Sequence, residues 1–71
     1  MSDHKVIVFK TTYLTFKAER ALKAADIPCK VVTKPRGVSS DCGLAVRVDM
    51  ADEERALALI NESGIESLGV W

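Results

Sequence analysis

Neither sign of charge is in excess in this chain: ten lysines and arginines are matched by ten aspartates and glutamates, for a formal net charge of zero. The chain therefore lacks the basic surplus with which nucleic-acid-binding domains neutralise phosphates, and DNA and RNA are not expected partners. No apolar run approaches the length of a membrane span, so a membrane partner is not expected either. Export signals are missing too: Met1-Ser2-Asp3-His4-Lys5 leads straight into a strand-like run, without an apolar segment and small-residue cleavage site, and a cytoplasmic location is the expectation. There are only two cysteines and one histidine. In a reducing compartment two cysteines are expected as thiols, and isolated thiols with a distant His4 do not make a zinc site of usual spacing. No metal and no cofactor is expected. The short length excludes a deep active-site cavity. Seventy-one residues hold one domain, 1–71, with one small core between two layers.

What is present is regular patterning. Lys5-Val6-Ile7-Val8-Phe9 is dense in β-branched and aromatic residues and reads as a central strand. Thr11 and Thr12 are candidate N-caps for a helix over Tyr13 to Ala25, with Leu14, Ala18, Ala21, Leu22 and Ala25 forming its buried stripe and Lys17, Glu19, Arg20 and Lys23 falling elsewhere. Asp26-Ile27-Pro28 stops it, because proline cannot continue the hydrogen-bond ladder and disfavours helical geometry in the residue before it. Cys29 to Lys34 alternates as an edge strand would, and Cys29, at its start, reads as a packed residue. Leu44 to Val48 alternates again, with Leu44, Val46 and Val48 on one face. Asp49 is then a good N-cap for a second helix with Asp52, Glu53 and Glu54 in its positive first turn, a stripe of Ala56, Leu57 and Ile60, and a stop at Ser63-Gly64. Ile65 to Trp71 reads as a final short strand, His4 as solvated and Trp71 as a core or interface cap.

The two halves match at a constant offset of 38 residues: Val6 with Leu44, Thr11 with Asp49, Ala18 with Ala56, Leu22 with Ile60, Ile27 with Ile65 and Val32 with Val70. Each half is a strand, helix, strand unit too small to bury its own apolar face. Two such units interleave most economically as an α+β, ferredoxin-like βαββαβ two-layer sandwich, an antiparallel sheet of order 4-1-3-2 with both helices on one side.

Between the second and third strands lies Pro35-Arg36-Gly37-Val38-Ser39-Ser40-Asp41-Cys42-Gly43. Pro35 fixes one backbone angle, Gly37 and Gly43 permit positive φ, and Ser39, Ser40 and Asp41 can bond nearby amides, so the loop can be ordered without being helix or strand. Cys42 sits among hydroxyls, glycines and the cations Lys34 and Arg36, a setting that suits a reactive thiol. The topology is expected to bring it to the helix start at Thr11, Thr12 and Tyr13, where free amides and a partial positive charge favour thiolate, while Asp41 opposes this. An ordinary surface hairpin with an incidental thiol fits the same composition.

The stretch Pro35 to Ala45, with its Ser-Ser-Asp-Cys-Gly motif at Ser39–Gly43, and more weakly Phe9-Lys10-Thr11-Thr12 and Ala18-Glu19, resembles a family of small bacterial selenium/sulfur carrier protein-like domains. The resemblance spans most of the chain. It implies that Cys42 takes a sulfur or selenium atom as a persulfide or selenosulfide from a cysteine desulfurase-like donor and passes it to an acceptor protein. Arg36 and loop amides would steady the charged product, Ser39, Ser40 and Gly43 would shape the loop, and Thr11 and Thr12 would supply the helix start. Two other classes fit the same chain: a non-catalytic ligand-binding or protein-docking module of this fold, and a thiol redox sensor in which Cys42 forms reversible intermolecular disulfides.

Overall fold

The computed structural model describes residues 3–38 and 43–71. The elements run β1 (His4–Phe9), α1 (Thr12–Ala24), β2 (Cys29–Thr33), β3 (Leu44–Asp49), a 3-10 turn (Met50–Asp52), α2 (Glu53–Glu62) and β4 (Ser67–Val70). The four strands form one antiparallel sheet of order β2-β3-β1-β4, which is the expected 4-1-3-2 read from the other edge. β1 is central, and its Ile7, Val8 and Phe9 are fully buried because helices cover one face and loop and cross-strand side chains the other.

Strand alternation explains which residue goes to which face. Ile7 and Phe9 of β1 and Val46 and Val48 of β3 join Ala18 and Leu22 of α1 and Ala56 and Ile60 of α2 in one core cluster, so both helices lie on the same side of the sheet. Val6, Val8, Val32 and Ala45 point the other way and form a smaller cluster with Val38. Among the described residues no helix is long and apolar enough to cross a membrane.

The helix ends repeat across the two halves. Asp26 after α1 has φ 60° and Gly64 after α2 has φ 73°, both left-handed. In each case the next residue's amide reaches back to the helix, Ile27 to the Leu22 carbonyl at 2.9 Å and Ile65 to the Ile60 carbonyl at 3.1 Å. Reaching back five residues across a left-handed residue satisfies carbonyls that would otherwise be orphaned, and it drops an isoleucine into the core.

Several local expectations need correcting. Asp49 does not cap a helix with its side chain: the chain enters a 3-10 turn first, and the Asp49 carboxylate lies 3.3 Å from His4 Nδ1, its cross-strand partner. Tertiary pairing supplied a partner that the local cap would otherwise have been. α1 starts one residue earlier than expected and ends at Ala24, with Ala25 exposed and Thr15 taking a buried place on the stripe. Trp71 is no core cap. It continues the β4 ladder by exchanging backbone hydrogen bonds with Val6 at 2.8 and 2.9 Å, its ring lies over Gly69, and it is about half exposed.

Candidate functional site

β1 delivers the chain to α1 at one end of the sheet, and the same end receives both arms of the loop between β2 and β3. Thr33 is paired with Leu44, and one step further the Lys34 amide donates to the Gly43 carbonyl at 2.9 Å, which closes the loop at its base. Lys10, Thr11, Lys34 and Gly43 thus share one rim, as the topology requires.

Thr11 is the N-cap of α1. Its Oγ1 accepts from the Leu14 amide at 3.1 Å, and its carbonyl takes both the amide and the hydroxyl of Thr15, each at 3.1 Å. A hydroxyl that satisfies one of the four orphan amides stabilises a helix start by about 1 kcal/mol and fixes its direction. Thr12 follows as the first helical residue and is exposed.

The first half of the loop is anchored rather than projecting. Pro35 to Val38 forms a turn in which the Val38 amide reaches the Pro35 carbonyl at 3.4 Å and Gly37 adopts φ 84°, a conformation that glycine alone adopts without strain. Val38 is only 8% exposed because it seats on the helix-free face of the sheet against Val8 and Ala45. Arg36 is left exposed at the turn. At Gly43, on the other arm, a Cβ would meet nothing within 4 Å. Ser39, Ser40, Asp41 and Cys42 lie outside the described residues, and with them the expected approach of Cys42 to Thr11, Thr12 and Tyr13.

The other thiol has a different setting. Cys29 opens β2 at the far end of the strand, half-buried against the core, with its Sγ donating to the Glu19 carbonyl at 3.8 Å. Burial pushes its ionisation upward, the Glu19 carboxylate adds to that, and Lys23 only partly offsets it. Such a thiol stays protonated and is a poor nucleophile.

Helix α1 also carries a feature on its outer face, beyond the cap and the buried stripe. Thr12, Tyr13, Phe16, Lys17 and Arg20 line a groove of about 280 Å³ along its solvent side. The signal was available in the spacing of Tyr13, Phe16, Lys17 and Arg20, which repeats that of a buried stripe on the face away from the core.

A small α+β domain with a closed loop ending at a thiol-bearing motif, and with its second thiol held protonated in the scaffold, is the class that fold and site define. Residues 4–71 match the model of a family described as Putative Se/S carrier protein-like, and the chain belongs to that family. Neither a curated protein nor a solved structure matches it.

Proposed function

We propose that this chain is a sulfur or selenium carrier of the cytoplasm, a single domain of ferredoxin-like arrangement that holds its cargo on Cys42. Membership of the carrier-like family over residues 4–71 is the observation that carries this reading. The state of Cys29 supports it by elimination, since a thiol pushed toward its protonated form and tucked under α1 is poorly suited to receive sulfur.

In the proposed step, the Cys42 thiolate attacks the outer sulfur of a persulfide on a cysteine desulfurase-like donor. A new S–S bond forms as the donor's S–S bond breaks, the donor leaves as a thiolate, and Cys42 carries the persulfide. An acceptor protein's thiolate then attacks the same outer atom and Cys42 is released as thiolate, so no external oxidant or reductant is consumed. With selenium as the outer atom the carried species is a selenosulfide. Arg36 and loop amides steady the anion, Ser39, Ser40 and Gly43 shape the loop, and Thr11 and Thr12 hold the helix start whose amides face the same rim.

Mass spectrometry after incubation with a cysteine desulfurase and cysteine tests this. One or more added sulfur atoms on wild type and Cys29→Ser, with none on Cys42→Ser, is the expected result. Absence of loading on wild type would favour a docking or binding module, and a peroxide-driven disulfide dimer without sulfur loading would favour a redox sensor.

A further inference from the structure

Helix α1 has two stripes. Thr15, Ala18 and Leu22 face the core, while Tyr13, Phe16, Lys17 and Arg20 recur at i, i+3, i+4 and i+7 and share the opposite face. Tyr13 is 71% exposed and Phe16 43%, two large apolar rings on the wall of one groove. The fold contains its own control for what such a face needs. In the second half, the positions 38 residues on from these four are Ala51, Glu54, Arg55 and Ala58. None is aromatic, and the one cation, Arg55, is held by Asp52 at 2.6 Å. An outward helix face in this architecture therefore folds without aromatic rings, and those on α1 are not explained by folding.

The groove also carries charge. The one acidic residue of α1, Glu19, is engaged by Lys23 at 3.2 Å, and among the described residues Lys17 and Arg20 have no carboxylate within ion-pair distance. Two rings beside these two cations complement a surface that brings an apolar side chain flanked by carboxylates.

We propose that this face of α1 docks a partner protein through an acidic segment whose apolar side chain packs on Tyr13 and Phe16 while its carboxylates meet Lys17 and Arg20. A nucleic acid is disfavoured because the patch has only two cations and the chain has no basic surplus. A small molecule is disfavoured because a groove lined by one helix does not enclose a ligand. The start of the groove at Thr12 lies on the rim that also holds Lys34 and Gly43, so a docked partner sits at the loop's end of the sheet. The inference goes beyond the carrier reading and does not depend on sulfur chemistry.

The test uses the isotope-labelled full chain and amide chemical-shift mapping with three probes: a synthetic amphipathic peptide of Leu and Glu, its counterpart with Lys for every Glu, and a short oligothymidylate. Expected are shifts confined to Thr12–Lys23, an affinity for the acidic peptide about tenfold or more above that for the basic one, and weakening with added salt. Copying the matching residues of the second half onto α1 with Tyr13→Ala, Phe16→Glu and Arg20→Ala removes that binding and leaves the melting temperature near wild type. Should the triple variant fail to fold, Lys17→Glu alone must still weaken the acidic peptide several-fold. The proposal is overturned if the acidic peptide does not bind, binds elsewhere, binds no better than the basic peptide or the oligonucleotide, or is unaffected by these substitutions.

Discussion

The two halves of the molecule share a scaffold and differ in what they display. In both, an alanine and a larger aliphatic residue one helical turn later are buried, Ala18 and Leu22 against Ala56 and Ile60, and a left-handed residue returns an isoleucine to the core. The differences lie outside that frame. The first half has a side-chain cap at Thr11 and aromatic rings on its outer helix face, and it continues from β2 into the Pro35–Gly43 loop. The second has a 3-10 entry without a side-chain cap and an acidic helix start. Positions that agree between the halves are those the shared core dictates, so positions that differ are where demands other than folding are to be sought.

The largest test of the shared core is truncation of its matched pair. Leu22→Ala and Ile60→Ala each remove a fully buried side chain from one cluster and are expected to destabilise by about 2–5 kcal/mol apiece. Urea melts should remain single transitions in both variants. A loss confined to one half, or two separate transitions, would break the view that the halves fold as one unit.

Next in size is the contrast between the thiols. Cys29 lies four strand steps from Thr33, about 13 Å at ~3.3 Å per step, while the loop base is closed beyond Thr33 at Lys34 and Gly43. A disulfide, which requires Cα atoms within ~7 Å, is not expected between Cys29 and Cys42. In brief iodoacetamide labelling with peptide mapping at neutral pH, Cys42 is expected to react about tenfold or more faster than Cys29. The raised ionisation of Cys29 also has a sign in stability. The unfolded thiol ionises first as pH climbs, so the unfolded state then binds fewer protons than the native one and stability falls above the ordinary thiol range. Cys29→Ser should flatten that alkaline decline in a series of melts; equal labelling of the two cysteines would remove the distinction.

The caps differ by a smaller amount. Thr11→Ala is expected to cost about 1 kcal/mol, since it leaves the Leu14 amide without its acceptor. Asp49→Ala should cost only a few tenths of a kcal/mol, because no cap bond is lost and the His4 pair it breaks is exposed. Thermal melts that rank the two in the opposite order would contradict the asymmetry.

Smallest is the exchange at the left-handed positions. Asp26→Gly relieves a side chain held at φ 60° and is expected to stabilise by about 0.5 kcal/mol, whereas Gly64→Ala introduces that strain and should destabilise by about 1 kcal/mol. Since a Cβ at Gly64 would meet nothing within 4 Å, the effect reads backbone conformation alone. Denaturant midpoints for the two variants should move in opposite directions.

Element types and their order were legible because they rest on local periodicity and on breakers that act within a few residues. β1 through Val6–Phe9, the α1 stop at Asp26-Ile27-Pro28 and the Ser63-Gly64 stop of α2 all fall where alternation, helical spacing and turn chemistry place them. The 38-residue repeat carried further, to sheet order and the side on which the helices pack, because two half-units with one apolar face each have few ways to bury both. The candidate loop was legible as a motif, but its anchor was not. Val38 looks like one apolar residue in a polar stretch, and nothing nearby in sequence announces Val8 and Ala45 beneath it.

The sequence by itself determined the elements, the duplicated topology, the zero net charge and the family motif, since each depends on composition or on spacing along the chain. Only the tertiary structure decided that Val38 pins the loop to the helix-free face, that Asp49 meets His4 instead of capping, and that Trp71 lies over Gly69. It alone decided that Cys29 sits against the Glu19 carbonyl ten residues away. These outcomes depend on which residue comes opposite which once strands are in register and a helix is seated. That pairing is set by burying the whole core at once, and a local pattern does not contain it.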